Sequence, residues 1–207
     1  DTRWIGNEDG MAPLPNFSTV DELQLSILSD NPQGMSSRRF LPGECDCLMR
    51  ERDWFYSDSD GHTVKSREEL MGLYELSVGR GANLLLNIGP DRRGLLPERD
   101  RCRLLEFGDE IRRRFSDPTV HYIPDGTESE STYIIRLPEK NLLNCAVIRE
   151  DLTEGESIRR FSIEIRTMHT KRPITVYQGQ SIGHKAICRF PAVMTDEVTV
   201  RILEAED

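Results

Sequence analysis

The sequence predicts an α/β fold that is followed by an all-β fold. Residues 84–89, LLLNIG, form a short continuous apolar run, which is typical of a parallel strand buried on both faces. A segment with helical signals lies on each side of this run, and that order indicates an α/β layer or barrel. After Val120 short apolar runs alternate with turn residues, which favours an antiparallel β-sandwich. We therefore expect the two parts to meet near Pro118.

Composition argues against several classes of protein. Of the 207 residues, 37% are hydrophobic and 30% are charged, and the formal net charge is -9, whereas nucleic-acid-binding domains present a basic face. No apolar run approaches the length of a membrane span, and the residues from Asp1 onward do not have the pattern expected of a signal peptide. Asp1 is not Met, so it is not expected to be the natural start of translation. The five cysteines include no CxxC pair and the four histidines are scattered, so we expect no metal and no cofactor.

The first 20 residues predict a strand end that runs into a long loop, because two glycines and two prolines stand among polar residues. Long structured loops often carry function. Glu8 lies in a polar cluster directly after the apolar pair Trp4-Ile5, although a solvated turn is the simpler interpretation. Further along, residues 23–27 alternate between apolar and polar side chains and predict a short strand.

Residues 42–56 alternate again, which predicts a second strand. Its two cysteines fall on one face, and Glu44 and Asp46 fall on the other. Two acids on one strand face point either into solvent or into a polar pocket. The aromatic triplet at residues 54–56 is most simply explained as core, and a wall that stacks against a sugar is the alternative.

One helix is predicted before the central apolar run and one after it. Ser66 and Glu69 have the spacing of a capping box at the start of the first helix, and Gly79 is a natural stop. Pro97 suits the first turn of the second helix, which Asp117 and the proline after it should end.

The end of the central strand is a candidate functional edge. In α/β barrels the chemistry lies where the strands end, so residues 87–93 are expected at the rim of an active site. For any single residue there, a polar turn after a core strand is the simpler interpretation.

The second half of the chain predicts strands only. Six apolar runs recur at fairly regular spacing, separated by turn residues. These runs are residues 133–135, 144–148, 160–165, 174–177, 186–190 and 198–203.

Five segments together carry a resemblance to a known family. RWIGNEDG, PGECDCLMRERDWFY and SVGRGANLLLNIGPDRRGLL resemble the closing part of the catalytic domain of α-L-fucosidases of glycoside hydrolase family 29. REDLTEGESIRRFSIE and QGQSIGHKAICRF are similar to the β-sandwich that follows it. These segments begin at Arg3, Pro42, Ser77, Arg149 and Gln178, respectively. The resemblance implies that residues 1–118 are the C-terminal part of a (β/α) TIM-like barrel and that residues 119–207 are a β-sandwich.

The resemblance also implies an activity. Family members are retaining exo-α-L-fucosidases that hydrolyse terminal α-linked L-fucose, so a fucosylated oligosaccharide or glycoconjugate is the expected partner. A retaining mechanism needs two carboxyl groups, one as nucleophile and one as acid/base. The family's aspartate nucleophile lies on an earlier strand, and no segment of this chain matches that motif. We therefore expect a missing N-terminal barrel segment to supply it and the 207-residue chain to be inactive alone. A secreted, periplasmic or lysosomal location is implied.

The resemblance assigns roles to four residues. RWIGNEDG is similar to the segment that carries the acid/base in the subgroup acting on branched α-1,3/1,4-fucosides, so Glu8 is the candidate acid/base. Glu44 is the runner-up and otherwise a substrate-binding residue. Trp54 resembles the aromatic residue that lines the fucose pocket, where one sugar face is apolar. Arg3 is expected to bind a sugar hydroxyl or to hold a carboxylate, and a structural ion pair is the alternative.

A different function class stays open. In this alternative the chain is a subunit without catalytic activity of its own, and its β-sandwich either binds carbohydrate or has a structural role. Residues 119–207 show no exposed aromatic platform in the sequence pattern, which weakens the carbohydrate-binding interpretation. The residues that precede Asp1 in the reading frame would separate these alternatives.

Overall fold

The computed structural model of the chain describes residues 2–20, 39–124, 131–167 and 172–206. The chain divides into two compact units, residues 1–118 and 119–207, and the division coincides with the change in sequence pattern. The short strand predicted at residues 23–27 lies outside the described residues. Each unit is described separately below.

The first unit contains a parallel sheet with helices between and after its strands. Among the described residues, the sheet has the strand order β1-β4-β5, and β2 and β3 form a separate antiparallel pair. The elements in chain order are β1 (Arg3–Trp4), β2 (Thr19–Val20), β3 (Arg39–Phe40), β4 (Gly43–Leu48), a short 3-10 helix (Gly61–Thr63), α1 (Arg67–Ser77), β5 (Asn83–Asn87) and α2 (Glu98–Phe115). An α/β fold for this part of the chain is confirmed.

The parallel sheet has one covered face and one open face. On the covered face, Cys45 and Cys47 are buried, and Leu84 packs into a cluster with residues of both helices. The open face carries the alternate residues of each strand, among them Leu85, which is 45% exposed. The prediction that β5 is buried on both faces is therefore wrong within the described residues. The helices cover one side only, and residues of β5 alternate between the two sides.

Helix α1 begins as its sequence predicts. The backbone N–H of Glu69 donates to Ser66 Oγ at 3.2 Å, and the backbone N–H of Ser66 donates to Glu69 Oε2 at 2.6 Å, so both halves of the capping box form. The pKa of Glu69 is lowered by these bonds. The helix buries Leu70 and Met71 against Phe107 of α2, which fixes the two helices on the covered face of the sheet.

The second unit is antiparallel. Within residues 131–167 and 172–206, its strands pair in the order β6-β9-β7-β8. They are β6 (Thr132–Ile148), β7 (Ile158–Arg166), β8 (Ile174–Gly179) and β9 (Ala186–Ala205). The all-strand pattern is confirmed, but the six predicted runs fall on four strands in this part of the chain. Turn residues inside β6 and β9 do not end these strands, because shifts of register absorb them without breaking the pairing.

The core of the second unit gathers residues from distant parts of its strands. Phe161 and Ile163 of β7 are buried together with Cys188, from the first half of β9, and Val198, from its second half. Gly179 lies so close to the Phe161 ring that an added Cβ would meet it at 2.2 Å. Two ends of one long strand thus enclose one core, while the division into two stacked sheets stays a prediction.

The five cysteines are free thiols, and three of them are buried. Burial, followed by the neighbouring Asp46, raises the pKa of Cys45 to about 11. Burial also raises the pKa of Cys188 to about 12 and raises that of Cys47. Cys102 on α2 is exposed. The buried thiols act as small apolar groups, as their positions in the sequence indicate.

Neither helix of the described residues has both the length and the apolar character that crossing a bilayer requires.

Candidate active site

The candidate site lies at the edge of the parallel sheet where β1, β4 and β5 end. The side chain of Trp54, in the loop after β4, donates from Nε1 to Oε2 of Glu8, in the loop after β1, at 3.0 Å. The side chain of Asn87, the last residue of β5, donates from Nδ2 to the Trp54 carbonyl oxygen at 2.8 Å. A residue after β1, a residue after β4 and the last residue of β5 therefore come together. They do so at the edge of the sheet where α/β folds place their catalytic residues.

The loop after β1 holds Glu8 by its own hydrogen bonds. The Asn7 side chain accepts from the backbone N–H of Asp9 at 3.1 Å and donates to the carbonyl oxygen of Met11 at 3.1 Å. Gly10 has a φ of 72° and lies against Cys47, where an added Cβ would meet the cysteine Cβ at 2.9 Å. The loop thus turns tightly over the covered face, with the Glu8 side chain exposed at its tip.

The aromatic triplet after β4 is not core. Phe55 is 79% exposed, whereas Trp54 and Tyr56 are half-buried. The core interpretation is therefore wrong for Phe55, because the triplet lies in a loop beyond the sheet. Trp54 is the member that is held in place, by Glu8 at its ring and by Asn87 at its backbone.

Arg50 fixes the loop that carries Trp54. Its guanidinium donates to both oxygens of Asp100 on α2, at 2.9 and 2.7 Å, to the carbonyl oxygen of Ser57 at 3.0 Å, and to Asp60. Arg50, Asp60 and Asp100 are 8%, 5% and 1% exposed. The Asp100 hydrogen bonds raise the pKa of Arg50, so its charge is permanent. Sequence reasoning missed this cluster, because Asp60 and Asp100 are 10 and 50 positions away from Arg50 in the sequence.

The backbone just after β5 also contacts this loop. Gly89 approaches the loop so closely that an added Cβ would lie 2.7 Å from the backbone nitrogen of Tyr56. The contact is with backbone, which cannot rotate away as a side chain can.

We expect Gly89→Ala to displace the loop that carries Trp54 and to lower both stability and activity. Overpacking of a close contact costs about 1–3 kcal/mol. Gly72→Ala is the matched control, because an added Cβ there meets nothing within 4 Å and alanine favours helix α1 by about 0.5–1 kcal/mol. Urea unfolding of both variants measures the difference, and equal stability of the two would contradict the close contact.

A polar cleft continues along the rim from this site. It has a volume of about 530 Å³, and Tyr56, Asp58, Asp91 and Arg92 line it. The Tyr56 hydroxyl donates to Asp58 at 2.7 Å, and Arg92 pairs with the same carboxylate at 2.8 Å. These two contacts lower the pKa of Asp58, the tyrosine bond most. Asp91 and Arg92, from the segment that the sequence predicts at a rim, thus line an open, charged cleft together with Tyr56 and Asp58.

The structure separates Glu44 from Glu8. Glu44 is near the start of β4, at the opposite end of the strand, where its Oε2 accepts from Thr2 at 3.2 Å and from Asn83 at 3.5 Å. Trp54 is therefore brought to Glu8 and not to the runner-up. Arg3 donates from Nη2 to Asn16 Oδ1 at 3.2 Å and to the Phe17 carbonyl oxygen at 2.9 Å, so it steadies the loop after β1.

Asp46 lies two residues after Glu44, on the same open face of β4. Burial raises the pKa of Asp46, and the charges of Glu44 and then Glu8 raise it further. Its Oδ1 atom is buried and has no hydrogen-bond partner in the described part of the chain. The sequence places Asp46 on this face but does not show that it is desolvated.

Among the described residues, no group of three or more His, Cys, Asp or Glu side chains is arranged to hold a metal ion. The arrangement can supply an exposed carboxyl group, an indole that orients it, and a charged cleft beside both.

Comparisons with known proteins show what this chain is similar to. A family model described as alpha-L-fucosidase matches residues 29–113. Alpha-L-fucosidase 1 of Arabidopsis thaliana is 27% identical over 225 residues, which cover 92% of this chain and 44% of that protein. A Bacteroides thetaiotaomicron protein assigned to the α-L-fucosidases has a crystal structure that is 31% identical, with a TM-score of 0.86 over 100% of this chain and 49% of that one.

A third comparison concerns the fold alone. A Ruminococcus gnavus glycoside hydrolase family 29 fucosidase, whose D221A mutant was solved in complex with fucose, is 23% identical with a TM-score of 0.79. It matches 99% of this chain and 48% of that one. The chain thus spans about half the length of these relatives. Its resemblance to the α-L-fucosidases of glycoside hydrolase family 29 is confirmed.

Proposed function

We propose that this chain is part of a retaining exo-α-L-fucosidase that removes terminal α-linked L-fucose from glycans. The observation that carries the proposal is the contact between Trp54 and Glu8 at the C-terminal edge of the parallel sheet. It joins, in one place, the two residues to which the family resemblance gives the acid/base and sugar-stacking roles.

Glu8 is proposed as the acid/base. In a retaining glycosidase, the acid first protonates the oxygen of the leaving group and then activates water as a base. Trp54 donates to Oε2 of Glu8 at 3.0 Å, which leaves Oε1 to carry the proton towards the leaving oxygen. The same bond orients the carboxyl group, because Asn87 holds the Trp54 backbone in turn.

Trp54 is proposed to line the fucose pocket. The indole ring offers an apolar face, and the sugar presents its C–H face and C5-methyl side. Trp4 is 43% exposed on the open face of the sheet, so a second aromatic ring is available on that side. The polar cleft beside Tyr56 and Arg92 would take the rest of a fucosylated oligosaccharide.

The nucleophile is proposed to come from a barrel segment that precedes this chain, because the family's aspartate-bearing motif is absent from residues 1–118. Retaining enzymes place the two carboxyl groups about 5–5.5 Å apart. In this arrangement the open face of β1, β4 and β5 would point into the interior of the complete barrel. Residues 119–207 would form the β-sandwich.

The direct test uses a full-length protein that contains this sequence. We expect it to hydrolyse an aryl α-L-fucoside, and proton NMR during the first turnovers should show α-L-fucose as the first-formed anomer. An aryl β-D-galactoside is the control substrate. The β-anomer appearing first would overturn the retaining mechanism, and binding of fucose without hydrolysis would favour a carbohydrate-binding role.

The 207-residue chain alone should show no turnover of the same aryl fucoside, because it lacks a nucleophile-bearing segment. Activity assays on the purified chain and on the full-length protein, at equal concentration, measure the difference. Turnover by the chain in the absence of other polypeptides would contradict this expectation and would place the nucleophile within these residues.

A further inference from the structure

The loop that carries Glu8 is held near its midpoint by contacts with the turn between α1 and β5. Residues 5–18, all of them described in the structure, connect β1 to β2 without forming a helix or strand of their own. A loop of this length keeps one conformation only if contacts elsewhere offset the entropy of ordering it. Ala12 is 1% exposed and packs with Ile5, Cys45 and Ala82, so the middle of the loop is part of the core.

Both backbone polar groups of Ala12 bond to that turn. The N–H of Ala12 donates to the carbonyl oxygen of Leu76 at 2.9 Å, and the guanidinium of Arg80 donates from Nη1 to the carbonyl oxygen of Ala12. Leu76 lies in the last turn of α1, where carbonyl groups lack partners within the helix, so it can accept the loop. Only the bond from Arg80 depends on a side chain, so a substitution can remove it.

The turn is itself fixed by hydrogen bonds. The backbone N–H groups of Arg80 and Ala82 both donate to the carbonyl oxygen of Ser77, each at 3.0 Å. Asn16, which is 4% exposed, donates from Nδ2 to the carbonyl oxygen of Arg80 at 2.9 Å. Arg80 therefore binds the loop at two points, through its side chain at Ala12 and through its backbone at Asn16.

Glu8 lies between two anchored points of the loop. The backbone N–H of Ile5 donates to a carbonyl oxygen of β4 at 3.0 Å, and Ala12 is bonded to the turn. Residues 6–11 span the distance between them, and within this span Glu8 accepts from Trp54 at 3.0 Å. Because the Glu8 side chain is exposed, the core does not hold it in place. A shift of Ala12 would therefore move the carboxyl group relative to the indole.

We propose that Arg80 is a positioning residue for the acid/base, because its bond to Ala12 keeps the Glu8 carboxyl group at the Trp54 indole. The inference rests on the proposed fucosidase function and adds a residue outside the site. Arg80 precedes the first residue of β5, whereas the site lies where that strand ends. A displacement of about 1 Å at a reacting group can lower a rate about 100-fold.

The test compares Arg80→Met with the unaltered full-length protein on phenyl and dinitrophenyl α-L-fucosides. Methionine keeps an apolar side chain but cannot donate to Ala12. The constant kcat/KM reports the first chemical step, in which the phenyl leaving group needs protonation and the dinitrophenyl group does not. We expect kcat/KM to fall about 10- to 100-fold on the phenyl substrate and to stay nearly unchanged on the other. Equal losses on both substrates would indicate a purely structural role and overturn the inference.

Two control variants make the result specific to the hydrogen bond. Arg80→Lys keeps the positive charge and a donor, so it should recover most of the activity on the phenyl substrate. Arg101→Met removes an exposed arginine on α2 that pairs with Glu98, and it should leave both values of kcat/KM unchanged. A lysine variant as impaired as Arg80→Met on the phenyl substrate would contradict the role of the donor.

Hydrogen exchange needs no activity and separates this inference from the proposed function. The Ala12 N–H should be protected in the unaltered protein and should exchange about 10- to 100-fold faster in Arg80→Met, the usual effect of losing a bond from a charged donor. If this holds but the unaltered protein hydrolyses no fucoside, the anchor stands and the activity is overturned. Hydrolysis together with equal exchange in the two proteins overturns the inference alone. If Arg80→Met does not fold, an unprotected Ala12 N–H in the unaltered protein overturns it.

Discussion

Replacing Glu8 by Gln in the full-length protein should lower the rate of hydrolysis of natural fucosylated glycans by about 10²- to 10⁴-fold, the usual contribution of general acid–base assistance. The glutamine keeps the size of the side chain and the contact with Trp54, but it can neither donate nor remove the required proton. A glycan with a poor leaving group depends on protonation at departure and should suffer most. An activated aryl fucoside needs less assistance, so its first step should suffer less.

Two further measurements make this assignment specific. Added azide should partly restore turnover of the activated substrate, because it attacks the glycosyl intermediate without help from a base. Glu44→Gln is the matched control, since its contacts are with Thr2 and Asn83 at the other end of β4. It should affect both substrates similarly and should not respond to azide. Leaving-group dependence and azide rescue at Glu44 instead of Glu8 would transfer the role to Glu44.

Replacing Arg50 by Met should destabilise the first unit by about 3–5 kcal/mol, the usual result of removing one partner from a buried ion pair. The change leaves Asp60 and Asp100 buried without their cation, and it removes the bond to the Ser57 carbonyl oxygen. The loop between β4 and α1, which carries Trp54, should then lose its connection to α2. We therefore expect activity to fall even at temperatures at which the variant remains folded.

Arg67→Met is the control for the loss of an arginine from an ion pair. Arg67 pairs with Glu68 on the exposed surface of α1, and solvent screens that interaction, so the unfolding midpoint in urea should hardly change. If Arg50→Met and Arg67→Met shifted the midpoint equally, the buried cluster would have no special role in the loop.

The sequence predicted best what depends on neighbouring residues. The capping box of Ser66 and Glu69 involves positions three apart, and it forms as expected. Helix α1 ends at Ser77, two residues before the predicted glycine stop, because the last turn closes through Gly79 bonding to the Tyr74 carbonyl oxygen. Strand periodicity also separated the buried cysteines from Glu44 and Asp46 on the other face.

Contacts between distant residues could not be predicted from patterns. The six apolar runs of the second half merged into fewer strands in the described residues, because a run shows burial but not the bulges that let a strand continue through turn residues. The burial of Asp60 and Asp100 around Arg50 likewise depends on three segments meeting.

At the candidate site, too, contacts between distant residues could not be predicted from local sequence patterns. Resemblance to a family was needed to select Glu8 from the acids of its loop, since GNEDG also fits a solvated turn. The indole contact that accompanies Glu8 joins residues 46 positions apart, and only the fold brings them together. The roles given to Arg3, Glu44 and Trp54 stay predictions until the kinetic tests are made.

The buried cysteines, whose thiol pKa values are raised, can be used to measure local opening of the fold. At neutral pH Cys45, with a pKa of about 11, and Cys188, with a pKa of about 12, are almost entirely protonated and shielded from reagents. After Cys102→Ser and Cys145→Ser remove the exposed and the half-buried thiol, modification of Cys45 or Cys188 by a thiol reagent requires the surrounding strands to separate. Because Cys45 is in the first unit and Cys188 in the second, the two labelling rates would time the opening of each unit separately.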